Sequence, residues 1–115
     1  MTAHVKIENQ ETITILHLSG DFNGVEENDS LLASFKELSA QKRTKVLVNL
    51  AEVIYLNSAS IGILLSGNAI IKKIGGKIVL YNSSDYLENT FSITKLNLAL
   101  TICKDYDEAL QEINK

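Results

Sequence analysis

The residues best placed for chemistry form one short polar break, Asn57-Ser58-Ala59-Ser60, inside an otherwise apolar stretch. The residues before the break have the character of a strand, and those after it have the spacing of a buried helix. Backbone N–H groups at a helix start have no intrahelical partner, and the helix dipole there favours negative charge, including phosphate. These features provide a physical basis for a switch at this turn. The alternative is that Ser58, alone or with Asn57, only caps the helix.

Other kinds of site have little support in the sequence. No segment matches the phosphate-binding loop, in which a glycine, four further residues and a second glycine precede Lys and then Ser or Thr. The pair Gly75-Gly76 follows a predicted helix and is better explained as a helix stop. A nucleophile at Ser58 or Ser60 would need a base, but His4 and His17 both lie near the first strands. We therefore expect no catalytic residue and no enzyme activity.

Length and composition narrow the class of protein. With 115 residues, of which 45% are hydrophobic, the chain can form one domain over residues 1–115. A net charge of -3 gives no general attraction to nucleic acid. One cysteine, Cys103, and two histidines leave too few ligands for a structural metal, so we expect neither metal nor cofactor. No segment resembles a secretory signal or a membrane span, which predicts a cytoplasmic location.

Hydrophobic spacing predicts strands that alternate with helices after an opening hairpin. The predicted strands lie near residues 5–7, 12–18, 45–50, 77–81 and 98–102, and the predicted helices near 26–40, 58–74, 86–93 and 105–113. This order indicates an α/β fold with a small mixed β-sheet, in which the N-terminal hairpin joins parallel strands and about four helices cover the sheet.

The segment between the second strand and the first helix is polar. We expect Ser19-Gly20-Asp21 to end the strand and residues 22–24 to form a loop. Asp21 and Asn23 could contact a partner from there, although turn formation also explains both residues. His17 alternates with apolar neighbours along the strand, which favours a structural role for it.

Several of these segments together resemble a known family. The run Val-Asn-Leu-Ala-Glu-Val-Ile-Tyr-Leu-Asn-Ser-Ala-Ser-Ile-Gly-Ile-Leu-Leu at 48–65, followed by Ile-Lys-Lys-Ile-Gly-Gly-Lys-Ile-Val-Leu at 71–80, is similar to the STAS domain of bacterial anti-sigma factor antagonists. The likeness extends to residues 19–23 and 91–96, so it covers nearly the whole chain.

The resemblance implies a regulatory protein that is itself a substrate. In that family the antagonist binds an anti-sigma factor that is also a serine kinase. The kinase phosphorylates the serine after the motif aspartate, and a PP2C-type phosphatase reverses the reaction. That serine corresponds to Ser58, whereas the motif aspartate is Asn57, the later glycine is Ser60 and the acidic loop residue is Asn23. The expected partner-binding residues are Asp21, Asn23, Asn57, Ser58, Ala59 and Ser60.

Two alternatives remain open. The neutral Asn57 also suits a STAS protein that has given up phosphorylation and acts as an adaptor, or as a subunit of a transporter or signalling complex. The order of elements alone would also fit a small α/β enzyme. In each case we expect no direct contact with nucleic acid and no membrane span.

Overall fold

The computed structural model describes residues 2–115 and contains one five-stranded sheet in the order β1-β2-β3-β4-β5. The strands are β1 His4–Asn9, β2 Thr14–Phe22, β3 Lys45–Leu56, β4 Lys77–Tyr81 and β5 Thr101–Ile102. The helices are α1 Val25–Ala40, α2 Ser58–Lys73, α3 Asp85–Ile93, α4 Leu96–Ala99 and α5 Tyr106–Ile113. Only β1 runs antiparallel to its neighbour, so the mixed α/β sheet predicted from the sequence is confirmed.

Alternating side chains give the sheet two apolar faces. Val46 and Val48 of β3 pack into a large core with α1, α2 and α3, whereas Leu47 between them packs with α5 on the opposite face. Successive side chains of a strand point to opposite faces, so a strand covered on both sides is apolar throughout. This burial explains why the Val- and Leu-rich sequence 45–50 predicts a central strand.

A glycine lets α1 and α2 approach each other closely. A Cβ atom added at Gly67 of α2 would lie 2.5 Å from the ring of Phe35, a fully buried residue of α1. Only a residue without a side chain fits at this contact. The close contact holds the two helices side by side on the same face of the sheet.

The second strand is longer than predicted. Phe22, expected in a loop, is fully buried at the end of β2 and lies beside Leu56 of β3. The parallel pairing continues past two register shifts, and Gly20 takes a positive φ of 87° between them. The small polar residues that predicted a turn therefore form an irregular continuation of the strand.

The prediction of a strand over 98–102 is wrong for its first half. Residues Leu96–Ala99 form the short helix α4, and β5 contains only Thr101 and Ile102. Leu96 and Leu100 are both buried, and a spacing of four residues places side chains on one face of a helical turn. Leu98 between them is 80% exposed. The chain therefore has five helices over residues 2–115 where about four were predicted.

The third strand also runs further than predicted, because β3 extends six residues past the expected end at Leu50 and pairs with the extended β2 as far as Leu56. The other boundaries agree with the sequence predictions to within one or two residues. Asp105 caps α5 by accepting a hydrogen bond from the backbone N–H of Glu108, and Ala109 and Ile113 are buried against the sheet. None of the helices within residues 2–115 has the length and apolar character needed to cross a membrane.

Candidate functional site

The polar turn lies where two parallel strands end side by side. β2 ends at Phe22 and β3 ends at the neighbouring Leu56, and only one or two residues separate each strand from the helix that follows it. The backbone N–H of Asn57 donates to the carbonyl of Phe22 over 3.2 Å, which fixes the end of β3 against β2. The starts of α1 and α2 are therefore neighbours at one edge of the sheet. In α/β folds, binding crevices commonly lie outside the carboxyl ends of the strands.

Asn57 is the N-cap of α2. Its Oδ1 accepts the backbone N–H of Ser60 over 2.8 Å, so it satisfies one of the free N–H groups at the helix start. The same oxygen accepts Asn28 Nδ2 over 3.3 Å, which ties the start of α2 to α1. An amide oxygen thus does the capping that an aspartate carboxylate would do at this position. The structure assigns the cap to Asn57 and leaves the Ser58 side chain outside it.

Ser60 lies inside the protein. Its side chain is 0% exposed, and Oγ lies 2.9 Å from the carbonyl of Asn57 and 3.3 Å from that of Phe22. Oγ is also 3.0 Å from Asn57 Oδ1. This hydroxyl holds the turn from within and has no surface to offer a partner. The sequence-based prediction of Ser60 as a partner contact therefore does not fit its burial, whereas a role in positioning Asn57 does.

Ser58 and Ala59 are exposed on the first turn of α2. The Ser58 hydroxyl makes no hydrogen bond to any residue in the range 2–115. The first hydrogen bond of the helix runs from Ile61 N–H to the Asn57 carbonyl, so the N–H groups of Ser58 and Ala59 precede the helical ladder. The fold therefore leaves one nucleophilic hydroxyl accessible in the positive field of a helix start.

An open cleft of about 320 Å³ separates the starts of the two helices. Its lining residues are Asn23, Gly24, Val25, Asn28, Asp29, Asn57, Ala59 and Ile63. Asn28 is only 6% exposed, and its Oδ1 has no hydrogen-bond partner among the residues described. Val25 beside it is 78% exposed although it is apolar. Three of the predicted partner-binding residues, Asn23, Asn57 and Ala59, thus line one depression.

The sequence prediction missed Asn28, Val25 and Ile63. Asn28 carried a usable signal, because it stands three and seven residues before Leu31 and Phe35, on the apolar face of α1. A polar residue on a buried helix face requires a partner. That partner is 29 residues away in the sequence, so no local pattern could identify it.

Asp21 and Asn23 occupy different environments. Asn23 is exposed at the rim of the cleft, immediately after β2. Asp21 is half-buried within β2, where its backbone pairs with Tyr55 of β3. A partner that covers the cleft would therefore meet Asn23 directly, whereas Asp21 lies two residues earlier inside the sheet.

His17 does not serve the serine as a base. Its Nε2 lies 2.8 Å from a carboxylate oxygen of Glu8, and its Nδ1 lies 3.0 Å from Asn49 Nδ2. Asn49 Oδ1 accepts hydrogen bonds from Ala51 N–H and Asn82 Nδ2, so the NH2 group of Asn49 faces the histidine. His17 Nδ1 therefore accepts a hydrogen bond from this NH2 group, and the ring proton lies on Nε2. Both ring nitrogens are engaged in a network across the sheet, in agreement with a structural role.

The ionisable side chains give no indication of a metal or redox centre. No group of three or more His, Cys, Asp or Glu residues within 2–115 could hold a metal ion. Burial raises the pKa of the Cys103 thiol, and the negative charges of Glu108 and Glu112 raise it further. A buried thiol with a raised pKa is a weak nucleophile.

The fold and this turn define a class of protein. The family model of the STAS domain matches residues 4–109, and the chain belongs to that family. A relative from Thermotoga neapolitana, a homologue of TM1081 assigned as an anti-sigma factor antagonist, is 28% identical over 79 residues, which cover 69% of this chain and 70% of that protein.

Solved structures share the fold at low sequence identity. A crystal structure of the Thermotoga maritima protein TM1081, also assigned as an anti-sigma factor antagonist, gives a TM-score of 0.87 with 21% identity over 96% of this chain and 95% of that one. The Bacillus cell fate determinant SpoIIAA in its phosphorylated form gives a TM-score of 0.72 with 15% identity over 96% and 99%. The predicted STAS resemblance is thereby confirmed.

Proposed function

We propose that this protein is an anti-sigma factor antagonist that binds a serine-kinase anti-sigma factor and is switched by phosphorylation of Ser58. The observation that carries the proposal is the state of the Ser58 hydroxyl. It is exposed at the first position of α2 and makes no hydrogen bond within residues 2–115, because Asn57 does the capping. A kinase can therefore modify it without removing any interaction that the fold uses.

A phosphate at Ser58 would act on binding more than on folding. It adds a charge of about -1.5 to -2 at neutral pH, and a helix start tolerates that charge. A partner surface packed over Ser58 would have to desolvate the phosphate, and each 1.4 kcal/mol lost lowers affinity about tenfold. The partner-binding surface consists of Asn23, Asn57, Ser58 and Ala59, with Asp21 and Ser60 supporting it from within the fold.

The comparisons support this proposal at a coarser level. The Thermotoga relatives carry the name of anti-sigma factor antagonists, and the solved structures with this fold include SpoIIAA in a phosphorylated form. With the kinase as partner, a PP2C-type phosphatase would restore the free hydroxyl, and both reactions would take place in the cytoplasm. The protein itself would have no catalytic role.

Binding of the partner kinase to charge variants tests the proposal. Ser58→Asp should weaken binding at least tenfold while leaving thermal unfolding unchanged. Ser66→Asp is the matched control, because Ser66 is exposed on the same helix about 12 Å further along. Its affinity should equal that of the wild type. Unchanged binding by Ser58→Asp, or equal losses in both variants, would contradict a switch at Ser58.

A second candidate is an adaptor that does not use phosphorylation, either in a transporter complex or in a signalling complex. The observation that favours it is the neutral Asn57, which caps α2 without a negative charge beside Ser58. In that case Ser58→Ala would leave regulation in the cell unchanged, whereas under the main proposal it would remove the response to the kinase.

A further inference from the structure

The strand β1 forms one free edge of the sheet. It pairs with β2 on one side, and no strand within residues 2–115 lies on its other side. The backbone N–H of Gln10 donates to the carbonyl of Ile13, so the hydrogen-bonded pairs of this antiparallel ladder fall on the even-numbered residues of β1. The N–H and C=O groups of Val5, Ile7 and Asn9 therefore point away from β2, toward the free edge.

The side chains of β1 divide between the two faces of the sheet. Val5 and Ile7 are half-buried and pack against the larger core, whereas Lys6 and Glu8 are exposed on the opposite face. Lys6 makes no hydrogen bond or ion pair with any residue in the range 2–115. The Glu8 carboxylate accepts two hydrogen bonds, but it has about four acceptor sites and can take another. A six-residue strand with such an edge is a template for a further strand.

The charges on β1 decide which strand fits this edge. In an antiparallel pair of two β1 strands centred on Ile7, Lys6 of each copy lies directly opposite Glu8 of the other. Moving the centre by one residue places Lys6 opposite Lys6, or Glu8 opposite Glu8, and like charges opposite each other are destabilising. The centre on Ile7 also joins the free backbone groups, since Val5 of each copy then lies opposite Asn9 of the other. One two-fold register therefore satisfies both the backbone and the charges.

We propose that β1 is a self-association surface, to which a second copy of this chain adds its own β1 in an antiparallel pair centred on Ile7. The two five-stranded sheets then become one continuous sheet. Because the interface is isologous, the pair between Lys6 and Glu8 forms twice. This inference is independent of the proposed switch, since β1 contains no residue of the turn at Asn57.

The mass of the protein in solution tests the association. In sedimentation equilibrium, the average mass should rise from the monomer value of 12.7 kDa toward twice that value as the protein concentration increases to about 1 mM, because small interfaces give weak complexes. A mass that stays at the monomer value up to this concentration would overturn the proposal.

Charge-reversal variants test the surface and its register. Lys6→Glu and Glu8→Lys should each stay monomeric, because like charges then lie opposite each other in the two-fold pair. An equimolar mixture of the two variants should dimerise, since the acidic strand of one then faces the basic strand of the other. Lys104→Glu, an exposed position beside the opposite edge strand β5, is the matched control and should associate like the wild type. Dimers of either single variant, or no dimer in the mixture, would refute this register.

Amide hydrogen exchange in the wild type tests the strand pairing without a substitution. Exchange at Ile7, whose N–H points to the free edge, should slow by about twofold or more between dilute and concentrated protein. Exchange at Glu8, whose N–H already bonds to β2, should slow less, and exchange in β5 should not depend on concentration. A dimer in which Ile7 gains no protection would mean that another surface associates, and the proposal would fail.

Discussion

Replacing Asn57 by alanine removes the side chain that joins the two helix starts. The change deletes the hydrogen bond to Ser60 N–H, and loss of an N-cap costs about 1 kcal/mol. It also leaves the amide of Asn28, which is 6% exposed, without its acceptor, and an unsatisfied buried donor costs about 1–3 kcal/mol. The Ser60 hydroxyl can still donate to the carbonyl of Phe22, so it adds no loss. Together these effects predict a loss of about 2–4 kcal/mol in the free energy of unfolding.

Urea denaturation followed by far-UV circular dichroism measures this loss. Asn57→Asp is the matched variant, because a carboxylate keeps both acceptor roles and is favoured by the helix dipole. It should be at least as stable as the wild type. Asn89→Ala controls for the loss of an amide at an exposed site and should change stability by no more than about 0.5 kcal/mol. A loss below about 0.5 kcal/mol in Asn57→Ala, or equal losses in the alanine and aspartate variants, would refute this account of the turn.

Three further predictions concern the scaffold. Gly67→Ala should lower the free energy of unfolding by about 1–3 kcal/mol, because the added Cβ would lie 2.5 Å from the ring of the buried Phe35. Gly62→Ala in the same helix is the control. Its Cβ would meet no atom within 4 Å, so this variant should raise the free energy of unfolding by about 0.5–1 kcal/mol. The Cys103 thiol should resist a disulfide reagent in the native protein, because the thiol is buried and its pKa is raised, and it should react fully in concentrated guanidinium chloride. A fast reaction of the thiol in the native protein would contradict its burial. The hydrogen bond from His17 lowers the pKa of the Glu8 carboxyl below its ordinary value of 4.5, so the stabilisation it provides is complete above pH 4.5 and disappears as the pH falls through the lowered pKa of the folded protein. Glu8→Gln should therefore lose less melting temperature than the wild type over that acid range. An equal loss in both proteins would contradict the hydrogen bond.

The regular elements were predictable because their side chains repeat with a clear period. The helix starting at Val25 shows buried residues spaced three and four apart, and the run of apolar residues in β4 follows a glycine helix stop. The error at 98–102 has a local cause, since Leu98 and Leu100 alternate as in a strand. Burial of Leu96 with Leu100 instead selects a helical turn, and that choice depends on the core beneath them.

The candidate site was predictable only in part. The polar break at Asn57 and the exposed Ser58 follow from local sequence, because small polar residues between a strand and a helix indicate a cap. The cleft depends on Asn28, which meets Asn57 only after α1 has packed beside α2. Burial of Ser60 beneath the end of β2 likewise depends on the unexpected extension of that strand to Phe22. Both the cleft and the burial of Ser60 depend on packing between segments that are far apart in the sequence, so the pattern of residues within one segment does not predict them.

The state of Ser58 in the cell tests the central claim most directly. Intact-protein and peptide mass spectrometry on protein isolated from its own cells, with and without phosphatase treatment, reports the modification and its position. The account predicts a phosphatase-sensitive mass increase of one phosphate that maps to Ser58, with none on the exposed Ser66 of the same helix. If Ser58 stays unmodified throughout growth and stress, the switch is contradicted and the phosphorylation-independent adaptor takes its place.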